Sequence, residues 1–269
     1  MDKVLERGEG FLKFLGTAGA RFVMIRQLRS SAGLWLRYKS TNIIIDPGPG
    51  SLVRCNSSRP KLDLSSLDAI ILTHKHLDHS GDVNVMIEAI SEGGFRKRGK
   101  LVAPQDALDE KEGVVFSYTK KFLEEIIVME EGKEYRIADV RFITPLKNIH
   151  SVDTYGVKFL FPQTTVSLVS DTKYFPRLVD IYKDSTVLIL NVVFYQKRSE
   201  YEHLSLEEAL ELVKKIKPEL AVFTHFGMSM LRAKPHLLEE KIRKELKLNI
   251  KFAYDGFTLE IPYRKDKRG

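Results

Sequence analysis

Three imidazoles and a carboxylate fall within six residues of one another, at His74, His76, Asp78 and His79, in the stretch Thr73–His74–Lys75–His76–Leu77–Asp78–His79. The stretch directly follows the apolar run Ala69–Ile70–Ile71–Leu72. A strand that ends in HxHxDH can aim nitrogen and oxygen ligands at two neighbouring points in space. Imidazole and carboxylate suit borderline divalent metals such as zinc, and the carboxylate can also serve as a base. Clustered spacing of this kind is a site hypothesis that needs further ligands downstream. Such residue types recur at strand ends. His150 lies in Asn148–Ile149–His150–Ser151, Asp171 follows the apolar run Val166–Ser170, and His225 follows Leu220–Thr224. Sites of open α/β sheets gather at such positions.

The elements that must carry these residues are mostly short. Phe11–Leu15, Phe22–Arg26, Leu34–Tyr38 and Asn42–Asp46 read as strands between Gly, Ser and Lys turns, and Ile70–Thr73 as a strand buried on both faces. Val83–Ile90 reads as a helix with Asp82 as its N-cap. The middle, 101–135, offers only Leu101–Ala103 and Ile126–Met129 as strands. A second strand-rich block begins at Val140, with Val140–Thr144, Tyr155–Phe161 and Val166–Ser170. Helix and strand then alternate: helix Phe175–Tyr182, strand Val187–Asn191, helix Leu206–Ile216, strand Leu220–Thr224, helix Pro235–Leu246. Leu206, Ala209, Leu210, Val213 and Ile216 recur at helical spacing behind Ser205, a suitable N-cap. Asp255–Gly256 between Ile250–Tyr254 and Phe257–Ile261 predicts a terminal hairpin.

Composition sets the frame. The chain has 269 residues, 43% of them hydrophobic, with no tract approaching the ~20 apolar residues of a membrane span. No linker or low-complexity tract interrupts it, so residues 1–269 read as one domain. The first residues lack the apolar core of a signal peptide, and Cys55 is the only cysteine. A cytoplasmic protein without an intrachain disulfide or cysteine zinc site is expected. The net charge of +7 is partly local, in Phe95–Arg96–Lys97–Arg98–Gly99–Lys100 and in Arg264–Lys265–Asp266–Lys267–Arg268. Such clusters either attract phosphates or nucleic acid, or are solvated loop and tail. Trp35 reads as core and Cys55 as filler, and His236 as an exposed helix residue.

HxHxDH, a later histidine, a strand-end aspartate and a final histidine, with the turn Ile44–Ile45–Asp46–Pro47–Gly48 ahead of them, resemble the metal motifs of the metallo-β-lactamase-fold hydrolases in order. The resemblance spans roughly residues 11 to 261. It implies an α/β four-layer αββα sandwich, and two divalent ions, with Zn, Mn or Fe all accepted by the ligand set. It further implies that His74, His76 and His150 hold one metal, that Asp78, His79 and His225 hold the other, and that Asp171 bridges them. Asp46 would orient a ligand histidine, or would be a plain turn residue. Two metals ~3.5–4 Å apart lower the pKa of a bridging water, the implied nucleophile, and clamp a phosphoryl oxygen. Asp78 would orient that nucleophile.

With no cysteine ligand, the site is similar to the phosphodiesterase and glyoxalase II branches rather than to the antibiotic-degrading enzymes. His203, in Glu202–His203–Leu204–Ser205, lies where ribonuclease Z and the cyclic phosphodiesterase of phosphonate breakdown place a histidine against the leaving oxygen. It would be the proton donor, or else a surface histidine near a helix start. The spacing resembles the phosphonate-pathway enzyme more than ribonuclease Z. Leu190–Asn191–Val192–Val193 replaces the His–Glu–Ala–Thr of ribonuclease Z, and Gly227–Met228–Ser229–Met230 replaces its Ser-x-Arg-Tyr. The expected substrate is a small-molecule phosphodiester or a nucleic acid end, and the resemblance allows a homodimer. A lactone, ester or thioester hydrolase on the same metals is the alternative. Flavodiiron proteins differ by a glutamate where this chain has His76.

Overall fold

The computed structural model describes residues 9–31 and 33–262. The strands are β1 (Gly10–Phe14), β2 (Leu34–Tyr38), β3 (Thr41–Ile45), β4 (Ala69–Ile71), β5 (Lys100–Ala103), β6 (Glu125–Val128), β7 (Lys133–Ile137), β8 (Val140–Thr144), β9 (Val157–Phe161), β10 (Thr164–Val169), β11 (Val187–Asn191), β12 (Leu220–Thr224), β13 (Ile250–Phe252) and β14 (Thr258–Glu260). They form two seven-stranded sheets, ordered β14-β1-β2-β3-β4-β5-β6 and β13-β12-β11-β10-β9-β8-β7. Each sheet is antiparallel at one end and parallel at the other: β3 to β6 run parallel, as do β10 to β13.

The helices are α1 (Ala20–Ile25), α2 (Ser51–Ser57), α3 (Leu77–Ser80), α4 (Val83–Ile90), α5 (Ser117–Lys120), α6 (Arg177–Tyr182), α7 (Leu206–Ile216), α8 (Met228–Arg232) and α9 (Pro235–Leu246). The alternation of side chains along the strands sorts the apolar residues into three cores. Ile43, Ile45, Ile71, Val187, Ile189 and Val222 face each other between the sheets. Ile44, Ile70 and Leu72 point the other way, onto Val83, Met86, Ile87 and Ile90 of α4. Leu188, Leu190, Ala221 and Phe223 point outward onto Leu206, Ala209, Leu212 and Val213 of α7, and onto Ile242 of α9. Helix, sheet, sheet, helix is therefore the layer order, the αββα sandwich expected. Its central strands are apolar on both faces because both faces are covered.

Several local expectations change. Phe22–Arg26 is not a strand but the end of α1, in which Val23 alone is buried. A run of four apolar residues does not by itself separate the two periods. The terminal hairpin does not form. β13 closes the second sheet beside β12, whereas β14 pairs with β1 in the first. Asp255–Gly256 is thus the crossing between sheets. The Asp255 carboxylate accepts from the backbone N–H and hydroxyl of Thr17 at 2.9 and 2.7 Å and from the Ser30 N–H at 2.7 Å, which ties the crossing to the loop after β1. The second block starts at β7, before Val140. Its sequence Lys-Glu-Tyr-Arg-Ile buries only two residues, as befits a sheet edge.

Asp82 precedes α4, but its carboxylate makes no capping bond and instead accepts from the Leu52 N–H at 3.0 Å. Ser205 does cap α7, in a reciprocal capping box with Glu208. Trp35 and Cys55 are buried, and burial pushes the Cys55 thiol up to about 12, which suits filler. Phe95 stands almost fully exposed beside Arg96 and Lys97. The basic tail 264–268 lies outside the described residues.

Candidate metal centre

Most of the residues singled out by spacing lie just past the ends of parallel strands, and His150 lies in the loop after the antiparallel strand β8. β4 delivers Thr73 and His74, and the one-turn helix α3 folds Asp78 and His79 back over the same point, with the His79 N–H bonded to the His76 carbonyl at 2.9 Å. The loop after β8 brings His150, Asp171 lies two residues past the end of β10, and His225 directly follows β12. His225 and Asp46 both have positive φ, 60° and 50°. Non-glycine residues occupy that region at a cost and cluster at functional sites. The turn at His225 also needs Gly19, where any Cβ would lie 2.1 Å from the His225 carbonyl oxygen.

Four sets of three side chains have ligand atoms within 4.8 Å of one another among the described residues: His74, His76 and His150; His74, His79 and Asp171; Asp78, His79 and His225; and His150, Asp171 and His203. Asp171 belongs to two of these sets and is the hub of the surrounding imidazoles. Its Oδ2 lies 3.3 Å from Nε2 of His203, 3.5 Å from Nε2 of both His79 and His225, and 3.8 Å from Nε2 of His74. Asp78 Oδ2 sits 3.5 Å from His225 Nε2 and accepts from the Ala20 backbone N–H at 3.2 Å.

The outer hydrogen bonds decide which nitrogens face inward. Asp46 can only accept, so the Thr73 hydroxyl donates to its Oδ2 at 2.7 Å and is left to accept from Nδ1 of His74 at 3.1 Å. His79 donates Nδ1–H to the same carboxylate at 3.0 Å, and His150 donates Nδ1–H to the Glu202 carbonyl at 3.1 Å. Nε2 of all three histidines is thereby freed as a ligand atom. His76 turns Nδ1 inward, 3.1 Å from Nε2 of His150. Nε2 of His74 is buried with no hydrogen-bond partner. An orphaned buried nitrogen and two imidazole nitrogens facing each other are what a cation would satisfy, so the residues fit divalent metal.

Charge is divided between the two sides. Burial pushes His74 well below its ordinary value and, with His150 adding to it, lowers His76 to about 4; burial lowers His150 as well. Burial also disfavours charge on His79 and His225, but the carboxylates prevail. Asp46, Asp78 and Asp171 raise His79 well above its usual range, and Asp171 raises His225 to about 9. Burial would raise Asp78 and Asp171, yet the facing imidazoles hold both well below the usual carboxylate range.

Asn191 was not singled out as a site residue. It donates Nδ2–H to Asp171 Oδ1 at 2.8 Å. Its signal in the sequence was a polar side chain closing the otherwise apolar β11. His203 reaches the cluster; His236 does not, lying exposed on the first turn of α9.

The beta-lactamase superfamily domain matches residues 41–226. An uncharacterized protein of Methanocaldococcus jannaschii is 28% identical over 92% of this chain and 94% of its own length. The crystal structure of the metallo-beta-lactamase fold protein YhfI from Bacillus subtilis superposes with a TM-score of 0.76 at 18% identity, covering 93% of this chain and 98% of that one. A diphosphatase of the PhnP family gives 0.66 at 20% identity, over 95% and 100%. Ribonuclease Z enzymes are among the sequence relatives, at 22–26% identity over 62–93% of this chain. The resemblance carried by HxHxDH therefore holds: this chain belongs to the beta-lactamase superfamily and is a metallo-hydrolase of that fold.

Proposed function

We propose that this enzyme is a phosphodiesterase with a dinuclear centre, zinc by preference, held by His74, His76 and His150 on one side and by Asp78, His79 and His225 on the other, with Asp171 between them. The observation that carries the reading is His203. It stands outside both of those trios, yet its Nε2 lies 3.3 Å from the hub oxygen of Asp171, and its side chain keeps 21% of its surface exposed. A histidine at the open side of such a cluster is placed to protonate a departing alkoxide, which a diester with a poor leaving group needs. Bound metal would supply Lewis acidity, acidifying water and neutralising charge on a phosphoryl oxygen. Asp78, held ionised, is placed to hold the proton of the attacking water at Oδ2, while the Ala20 N–H fixes the orientation of that oxygen.

Relatives named ribonuclease Z and a fold neighbour named a diphosphatase support phosphorus chemistry. We read residues 1–269 as one hydrolase domain acting in the cytoplasm; no helix among the described residues is long and apolar enough to cross a membrane. The test is a side-by-side assay of metal-loaded protein on bis(4-nitrophenyl) phosphate, a dinucleotide and a panel of lactones and thioesters. Turnover of the phosphodiesters is expected. Turnover confined to lactones or thioesters would overturn the reading.

A further inference from the structure

We infer that the turn joining β11 to α7 is a binding subsite for a planar base on the leaving side of the substrate. The inference rests on the phosphodiesterase reading and adds a substrate class to it: diesters whose departing alcohol is a nucleoside. Phe194, just past β11, places its ring 6.1 Å from that of His203 at an interplanar angle of 88°. Tyr201 lies 5.3 Å from Phe194 at 39°, and the guanidinium of Arg198 sits 5.5 Å over the Phe194 ring. Phe194 is half-buried, whereas Tyr201 is 47% exposed.

The turn is tied down on both sides. Phe194 donates its N–H to the Leu204 carbonyl at 3.3 Å and accepts from the Leu206 N–H at 2.8 Å, while the Tyr195 N–H reaches the Ser229 hydroxyl at 3.0 Å. Its two cations differ. Lys197 pairs with Glu208 at 3.3 Å, but Arg198 has no carboxylate partner among the described residues. A half-buried phenyl ring with an exposed tyrosine, beside a guanidinium that has no carboxylate partner among the described residues, is a combination that stacks bases and holds phosphate charge. Because His203 serves the departing oxygen, what reaches Phe194 and Tyr201 is the group attached to that oxygen. A simple alkyl group offers no π-face to this platform; a nucleobase does.

The test uses zinc-loaded full-length protein and two cyclic diesters with near-identical leaving oxygens: adenosine 2′,3′-cyclic phosphate and its base-free analogue, 1,4-anhydroribitol 2,3-cyclic phosphate. Wild type is expected to favour the adenosine compound by roughly tenfold in kcat/KM, mostly through KM, the worth of one base–aromatic contact. Tyr201→Ala and Arg198→Gln should each bring that ratio to within about twofold, and Tyr201→Phe should retain it. Binding of adenosine 3′-monophosphate, followed by calorimetry, should weaken in parallel in Tyr201→Ala. Hydrolysis of both diesters with no preference, or with a preference that Tyr201→Ala leaves intact, overturns the subsite alone. Hydrolysis of neither while bis(4-nitrophenyl) phosphate is turned over overturns the subsite alone; hydrolysis of none of these diesters overturns the phosphodiesterase reading, and unchanged nucleotide binding in Tyr201→Ala then removes the subsite with it.

Discussion

Asn191 donates its side-chain amide to Oδ1 of Asp171 at 2.8 Å, which leaves Oδ2 alone to face the imidazoles of His74, His79, His203 and His225. A carboxylate free to rotate could offer either oxygen, or both, to one ion. With Oδ1 engaged by Asn191, Oδ2 is the oxygen turned toward the imidazoles on both sides. Asn191→Leu keeps the volume and removes the donor. It should weaken metal binding by about 10–100-fold, as loss of an outer-sphere partner typically does. Competition with a chromophoric chelator measures this, and unchanged affinity would show that Asp171 is held by packing alone.

The two sides of the centre should fill at different pH. In chelator-treated protein His74 and His76 are already neutral at pH 6, because burial holds them low, His76 at about 4. His225, raised to about 9, and His79, raised well above its usual range, carry protons that metal must displace. A raised pKa means protonated below that value, so uptake by Asp78, His79 and His225 should release protons and strengthen as pH climbs toward 9. Zinc content after equilibration should rise from about one per chain at pH 6 to about two at pH 8.5. A content that does not change with pH would contradict this division.

Asp255→Ala tests the crossing between sheets. The mutation strands the Thr17 N–H, the Thr17 hydroxyl and the Ser30 N–H, all now paired with one partly exposed carboxylate. Loss of about 2 kcal/mol is expected in urea unfolding, since donors to a charged acceptor are costly to leave unmet. A loss within error of zero would mean that water replaces the carboxylate.

Three residues of the cluster are legible because each follows a strand whose apolar pattern is strong, and strand ends of parallel sheets converge. His74 after β4, Asp171 after β10 and His225 after β12 follow that rule. The crossing at Asp255 was not legible. An Asp–Gly turn between two apolar runs looks the same whether its strands pair with each other or with different sheets, and only the partners at β1 and β12 decide. β7 leaves little mark in the sequence because an edge strand shows solvent a charged face. α1 reads as a strand in sequence because its single buried residue, Val23, sets no period. Asn191 carries no such mark for another reason: it holds Asp171 in place, and no spacing rule signals that.

Asp78→Asn should abolish hydrolysis of every substrate while leaving the fold intact. The amide keeps the size and can still accept from the Ala20 N–H, but it lacks the charge that faces His79 and His225 and cannot take up the proton of an attacking water. Circular dichroism should match wild type. Wild-type turnover at normal metal content would remove Asp78 from the chemistry.

His203→Ala is the most discriminating variant. If Nε2 protonates the departing oxygen, the need for it scales with the basicity of that oxygen. A nitrophenolate leaves unaided, whereas an alkyl or nucleoside alkoxide must be protonated as the P–O bond breaks. General acid catalysis contributes roughly 10²–10⁴-fold, so the variant should lose about that factor on a dinucleotide and much less on bis(4-nitrophenyl) phosphate. Equal losses on both would assign His203 to metal support, through its 3.3 Å approach to Asp171 Oδ2, rather than to proton transfer. No loss on either would leave it an ordinary histidine ahead of the α7 cap.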